Sequence, residues 1–202
     1  MNARMESSVP DVVEEDLLRA QLYQMLSHFL GNPPSQQDLN SLASMRGDSS
    51  PLGEAIASLA KIAGKTDVVR VAQEYQDLFI GVGLGELLPF GSYYLTGFLH
   101  EKPLAALRKD MERLGIARRA DVKIPEDHIA AVFEMMSGII DGKYGTVYDL
   151  DEQREFYNKH VGSWARHFMS DLEGAKASIL YAAIGTIGRI FLEIEEVAFT
   201  MD

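Results

Sequence analysis

The sequence predicts an all-α protein, a compact helical bundle, and three observations lead to that prediction. Apolar residues recur at three- and four-residue spacing along nearly the whole chain, which is the period of an amphipathic helix. Glycines, prolines and helix-capping residues interrupt this period where helices are expected to end. No run of residues alternates between apolar and polar as a half-buried strand does, and no internal repeat occurs.

The N-terminal part predicts four helices with recognisable ends. Gly31 ends the first helix, and Ser35 can cap the second. Pro51 occupies the place of a first-turn proline in the third, and Thr66 can cap the fourth. The fourth helix leads into an apolar, glycine-rich loop at residues 81–91. Such a loop is uncommon because exposed connections normally carry polar residues.

Five further helices are predicted after that loop. They are expected to begin at Ser92, Pro103, Pro125, Asp149 or Asp151, and Ser178. A linker with several basic residues, 116–124, is a candidate hinge. The length of 202 residues fits one domain, so residues 1–202 are expected to form a single helical unit.

Charge and cysteine content exclude several classes of function. The chain has 30 acidic and 19 basic residues and a formal net charge of -11. Such a protein is not expected to bind nucleic acid or an anionic membrane surface, and its field favours a cationic partner. Because cysteine is absent, the sequence cannot supply a disulfide, a thiolate nucleophile or a cysteine-bound metal.

Two features argue against a secreted or membrane-inserted protein. The longest nearly apolar stretch, Ile179 to Ile187, is far shorter than the roughly 20 residues that cross a bilayer. The N-terminal segment is acidic, and no apolar run follows Arg4 as it would in a secretory signal. We therefore expect a cytoplasmic protein without integral membrane insertion.

Familiar catalytic and cofactor motifs are incomplete. His160 and His167 lie two helical turns apart, about 10 Å along the axis, which is too far for one metal ion to bridge. The segment Gly64-Lys65-Thr66 resembles the end of a phosphate-binding loop, but Leu59 stands where the first glycine is needed. Glu86 likewise replaces the third glycine of a dinucleotide fingerprint. The sequence therefore predicts no metal, no cofactor and no catalysis.

Two regions remain as candidate binding sites. Glu126, Asp127 and His128 are consecutive, so their side chains splay around a helix start and do not converge on one reacting atom. We expect them to be exposed acceptors that suit a basic peptide. The second region is the apolar loop with the aromatic residues on either side of it, between Tyr75 and Phe98, which can form the wall of a groove.

Three segments together resemble the TorD/DmsD family of redox-enzyme maturation chaperones. The first segment is EYQDLFIGVG followed by LPFGSYYL, at residues 74–83 and 88–95. The second, IPEDHIAAVFEMMSGI at residues 124–139, is similar to the most specific motif of the family. The third is EQREFYNKHVGSWARHFMSDLE followed by FLEIEE. Val82 departs from the pattern, since it stands where the family usually has proline.

The resemblance implies a TorD-like helical fold and a non-catalytic cytoplasmic chaperone. Such chaperones bind the twin-arginine signal peptide, and often the body, of the catalytic subunit of a molybdenum-cofactor oxidoreductase, and they delay its export until the cofactor is inserted. A twin-arginine signal joins a cationic head to an apolar stretch. Carried over to this sequence, the signal-peptide-binding positions are Tyr75, Leu78, Phe79, Phe90, Tyr94, Glu126, Asp127 and His128.

Alternatives stay open at this point. One is a nitrate-reductase assembly chaperone whose client remains in the cytoplasm. A remote one is a metal-dependent helical hydrolase that uses Asp127 and His128 and needs at least two further ligands. The chain is expected to be a monomer or a helix-swapped dimer, with the linkers 116–124 or 142–150 acting as hinges.

Overall fold

Residues 12–119 and 121–201 are described by the computed structural model. Within them the chain forms ten α-helices and no β-strand. The helices are α1 (Glu14–Gly31), α2 (Gln36–Ser44), α3 (Pro51–Ala63), α4 (Val68–Tyr75), α5 (Gly91–Thr96), α6 (Lys102–Arg113), α7 (Ile129–Asp141), α8 (Leu150–Phe156), α9 (Ala165–Gly174) and α10 (Leu180–Thr200). Helices α4 and α8 each continue as one π-helical turn, Gln76–Ile80 and Tyr157–Val161. The predicted all-α class is confirmed.

The hydrophobic core lies between α1, α7 and α10. Helix α1 packs along α7, and α10 packs against α9 and α3. The ring of Tyr23 on α1 is fully buried and makes edge contacts with Phe133 of α7 at 5.4 Å and Phe191 of α10 at 4.7 Å between ring centres. Aromatic contacts of this kind contribute about 1 kcal/mol each beyond the area they bury. No helix among the described residues is long and apolar enough to cross a bilayer.

Most of the predicted helix starts agree with the structure. Ser35 caps α2 in a reciprocal capping box, and Pro51 lies in the first turn of α3. The prediction for Thr66 is wrong, because the side chain of Asp67 accepts hydrogen bonds from the first amides of α4. Aspartate and threonine are both good N-caps, so sequence alone does not decide between neighbours.

The prediction that Pro125 begins a helix is also wrong. Helix α7 begins four residues later, at Ile129, with His128 as its N-cap. Residues 125–128 instead form a turn, in which the amide of His128 donates to the carbonyl of Pro125 at 3.2 Å. The carbonyl of Asp127 accepts a hydrogen bond from Gly91, and His128 pairs with Phe90 in an isolated bridge. This pairing with a distant segment overrides the local helix signal.

Candidate functional site

Two distant segments meet in a short antiparallel bridge between Phe90 and His128. The amide of Gly91 donates to the carbonyl of Asp127 at 2.9 Å, and the amide of Ile129 donates to the carbonyl of Pro89 at 2.8 Å. The rings of Phe90 and His128 also meet edge to face at 5.1 Å. The structure therefore brings together three of the predicted site residues, Phe90, Asp127 and His128.

Asp127 is a buried carboxylate with one oxygen unused. Asp127 as a whole is 3% exposed. Its Oδ2 accepts a hydrogen bond from the backbone amide of Ser92 at 2.8 Å. Oδ1 has no hydrogen-bond partner, and neither has the hydroxyl of Ser92, which is also buried. Because unsatisfied buried polar atoms are costly, two of them on residues that are joined by a hydrogen bond indicate a place for a polar ligand or water.

His128 is neutral near physiological pH. Burial lowers the pKa of His128 to about 4, although the nearby charge of Asp127 acts in the opposite direction. The unprotonated Nδ1 accepts a hydrogen bond from the amide of Ala130 at 3.2 Å and so caps α7. The ring is therefore held by the helix it caps and by Phe90.

Glu126 is buried, so the expectation of an exposed acidic rim at this motif is wrong. Two arginines from neighbouring segments neutralise it, Arg108 at 2.8 Å and Arg118 at 3.4 Å. Burial opposes ionisation of Glu126, but the hydrogen bonds and the charge of Arg108 outweigh it, so the pKa lies below its ordinary value. Glu126 thus ties α6 and the following linker to the site. Asp127, the other acid of this motif, has no cationic partner among the described residues.

A cavity of about 300 Å³ lies beside Asp127. Its lining residues are Phe90, Ser92, Leu99, His100, Lys123, Pro125 and Asp127. His100 adopts a positive φ of 63°, a conformation that is uncommon outside glycine and asparagine. We call this space the Asp127 cavity. Its lining combines apolar side chains with Ser92 and Asp127, the two residues that carry unpartnered polar atoms.

An aromatic cluster contains three further predicted residues, Tyr75, Phe79 and Tyr94. Tyr75 and Phe79 contact each other at 5.0 Å between ring centres, and Phe168 lies between Phe79 at 6.5 Å and Tyr94 at 5.8 Å. Tyr94 is in turn joined to Phe90, because its amide donates to the Phe90 carbonyl at 3.1 Å. Leu78 is fully buried, so its side chain has no access to a ligand.

Large apolar side chains are exposed in the two segments that flank α5. Val82 is fully exposed and Leu84 is 70% exposed in the loop that the sequence singled out. Phe98 and Leu99, directly after α5, are 69% and 38% exposed. Isolated exposed apolar residues are ordinary, but several within two short segments indicate an interaction surface.

The described residues contain no group of three histidine, aspartate or glutamate side chains placed to hold a metal ion. Asp127 and His128 point to different backbone partners, the amides of Ser92 and Ala130. The further ligands that the hydrolase alternative needs are therefore not found in the part of the chain that the structure describes.

A solved structure shares this helical architecture. A solved structure of a candidate redox enzyme maturation protein from Archaeoglobus fulgidus matches with a TM-score of 0.57 and 21% identity, and the match covers 87% of this chain and 94% of that chain. The match shows that the two proteins share a fold.

Sequence comparison identifies the family. The family model for the nitrate reductase delta subunit matches residues 46–170, so the chain belongs to that family. Relatives include the chaperone protein TorD of Aliivibrio fischeri, 25% identical over 78% of this chain and 77% of the relative. The chaperone protein TorD of Vibrio atlanticus is 24% identical over 88% of this chain and 92% of the relative. A Haemophilus influenzae protein named "Probable Tat proofreading chaperone DmsD" is 27% identical over 58% of this chain and 56% of the relative.

The resemblance to the TorD/DmsD chaperones is confirmed by these matches. The predicted function class, a chaperone in molybdoenzyme maturation, is confirmed with it. Neither comparison assigns a role to a particular residue, so the part played by each predicted site residue remains a prediction.

Proposed function

We propose that this chain is a cytoplasmic chaperone that binds the twin-arginine signal peptide of a molybdoenzyme catalytic subunit and catalyses no reaction. The observation that supports the proposal best is Asp127, which lines a cavity next to exposed apolar side chains and whose buried Oδ1 has no partner. A cationic head followed by an apolar stretch is the chemistry that this combination complements.

An arginine side chain satisfies the polar atoms of the Asp127 cavity. A guanidinium carries five N–H donors in a planar fork and has no acceptor, so it can donate both to Oδ1 of Asp127 and to the oxygen of Ser92. Hydrogen bonds between two charged groups are stronger than those between neutral ones. The net charge of -11 attracts such a cation from a distance.

The apolar stretch of the signal would lie on the exposed side chains around α5. Val82 and Leu84 precede α5, and Phe98 and Leu99 follow it. Burying apolar surface contributes about 25 cal/mol per Å², so a few such contacts supply a large part of the affinity. The body of the client provides a second source of contacts.

The state of His128 supports a role without catalysis. A general base near neutral pH needs a pKa close to the working pH and a free nitrogen directed at its substrate. The pKa of His128 lies far below that, at about 4, and its Nδ1 is engaged by the amide of Ala130. Its position favours holding the motif in place over transferring a proton.

A second candidate is an assembly chaperone for a nitrate reductase that stays in the cytoplasm. The match to the nitrate reductase delta subunit model over residues 46–170 favours it. A client subunit without a twin-arginine leader would support this candidate, and a client with the leader would contradict it.

Size-exclusion chromatography of the purified chain would distinguish a monomer from a helix-swapped dimer.

Titration calorimetry with a synthetic peptide tests the proposal. The peptide carries two adjacent arginines and an apolar stretch, and in the control peptide serines replace the apolar residues. We expect the first peptide to bind and the double variant Val82→Ser/Leu84→Ser to weaken it severalfold, since both side chains are exposed and leave the fold unchanged. Absence of binding by the unaltered chain would overturn the proposed function.

A further inference from the structure

We propose that a second cavity, lined by Asp171, binds the guanidinium of one arginine of the signal peptide. The inference rests on the proposed function and adds a binding residue to which the family resemblance assigned no role. This cavity has a volume of about 320 Å³ and is lined by Leu84, Gly85, Glu86, Leu87, Leu88, Tyr93, Tyr94 and Asp171. Ser92 lines the Asp127 cavity, and the next two residues line this one, so α5 lies between the two spaces.

The carboxylate of Asp171 is oriented but not neutralised. The hydroxyl of Tyr94 donates to Oδ2 of Asp171 at 2.8 Å, which leaves Oδ1 available. Tyr94 is itself held by ring contacts with Trp164 at 5.5 Å and Phe168 at 5.8 Å. Burial and the charge of Asp171 raise the pKa of Tyr94, so the phenol stays protonated and keeps donating.

Glu86 adds a second negative charge to the same cavity. Its two carboxylate oxygens accept hydrogen bonds from the backbone amides of Lys176 at 2.8 Å and Ala177 at 3.2 Å. These bonds fix the loop that carries Glu86 against the connection between α9 and α10. Backbone amides do not cancel the charge, so the cavity is negative at two points.

Both acids of this cavity lack a basic partner among the described residues, whereas several other carboxylates are paired with an arginine of the protein. Glu126 pairs with Arg108, Glu173 pairs with Arg189 at 2.8 Å, and Glu195 pairs with Arg19 at 2.7 Å. Neither Asp171 nor Glu86 forms an ion pair in the described part of the chain. An arginine brought by another molecule would complete this site as the internal arginines complete the others.

The walls of the cavity suit a guanidinium next to an apolar residue. Tyr93, 38% exposed, offers an aromatic ring on which a planar guanidinium can stack. Leu84 lines the cavity and is also part of the exposed apolar loop with Val82. A cationic side chain in the cavity would thus place its apolar neighbours on that loop.

The variant Asp171→Asn tests the inference. Asparagine keeps an oxygen that can accept from Tyr94, so only the charge is removed. We expect the peptide with two arginines to bind about fivefold more weakly, as suits a partly exposed ion pair. Glu112→Gln is the matched control, because it removes one exposed acid of α6 that lines neither cavity, and it should change the affinity by less than about twofold.

Peptides in which one arginine at a time is replaced by glutamine locate the contact. We expect the loss caused by Asp171→Asn to disappear with one of the two single-glutamine peptides and to persist with the other. Two outcomes would overturn the Asp171 site alone. One is equal affinity of Asp171→Asn and the unaltered chain for the peptide with two arginines. The other is a loss of affinity that is the same for both single-glutamine peptides and for a peptide lacking both arginines. Failure of the unaltered chain to bind would overturn the proposed function and this site with it.

Discussion

Asp127 anchors the start of helix α5, because its Oδ2 accepts a hydrogen bond from the backbone amide of Ser92 at 2.8 Å. The two residues are 35 positions apart, and the bond sits beside the bridge between Phe90 and His128. The two oxygens of this carboxylate therefore differ, since Oδ2 orders the start of α5 and Oδ1 has no hydrogen-bond partner.

This division predicts different effects on stability for two substitutions of Asp127. Asp127→Ala leaves the buried amide of Ser92 without a partner and should lower the free energy of unfolding by about 1–3 kcal/mol. Asp127→Asn retains one side-chain oxygen, which can take the position of Oδ2 and accept from the Ser92 amide, so it should cost less than half as much. Urea denaturation followed by circular dichroism measures both values. Equal destabilisation by the two variants would show that the bond to Ser92 does not matter for the fold.

Lys123 is expected to weaken the binding of a cationic ligand. It lines the Asp127 cavity, is exposed, and carries the same sign of charge as an incoming arginine. Lys123→Gln should therefore tighten binding of a twin-arginine peptide by about two- to threefold, and the gain should shrink at high salt. Lys65→Gln is a suitable comparison, because Lys65 lies at a different cavity. Weaker binding by Lys123→Gln would indicate that Lys123 contacts the ligand favourably.

His128 should make the protein less stable in mild acid. Its pKa is about 4 in the folded chain and 6.5 in the reference state, so between these values the unfolded chain takes up a proton that the folded chain excludes. The free energy of unfolding should fall as the pH is lowered from 6.5 to 4, by as much as about 3 kcal/mol.

His128→Asn isolates this contribution. Asparagine can still cap α7 but does not titrate, so the slope of stability against pH in that range should become shallower. Burial also lowers the pKa of His160, partly opposed by its hydrogen bond to Asp110, so a smaller slope of the same sign should persist. An unchanged slope in denaturation curves of the variant would contradict the assignment to His128.

The ion pair between Arg19 and Glu195 should be essential to the junction of α1 and α10. Glu195 is 1% exposed, and its two oxygens accept from Arg19 at 2.7 and 3.0 Å. Arg19→Met would leave this carboxylate buried with only the Tyr23 hydroxyl, at 3.0 Å, and should cost about 3–5 kcal/mol.

Adding Glu195→Leu to Arg19→Met removes the stranded charge and should restore most of the lost stability. Thermal unfolding of the single and double variants tests this expectation. A double variant that is no more stable than Arg19→Met would mean that packing, and not the buried charge, accounts for the loss.

Helical periodicity predicts most of the fold because each helix buries one face, and the period records that face directly. It fails where the backbone departs from an even helix. The sequence predicts one helix between Asp149 and Phe168, whereas the structure has α8, a π-helical turn and α9 there. The apolar spacing through Phe156, Val161 and Phe168 does not reveal the wider turn between them.

The candidate site is predicted in part for a similar reason. The consecutive Glu126, Asp127 and His128 stand out locally, but their burial depends on the distant segment around Phe90, which no local pattern encodes. Asp171 lies within the third segment that resembles the family, but nothing singles it out there, because an acid on a helix surface resembles any solvated residue. Its significance depends on Tyr94, 77 positions away.

A double-mutant cycle tests the central claim most directly. Titration calorimetry would compare the unaltered chain and Asp127→Asn, each with a twin-arginine peptide and with the same peptide carrying glutamine at both arginines. Because truncating one partner of a desolvated charge pair is costly, we predict at least about a tenfold loss for Asp127→Asn with the arginine peptide and no loss with the glutamine peptide. The same change with both peptides, or none with either, would contradict the binding of an arginine by Asp127.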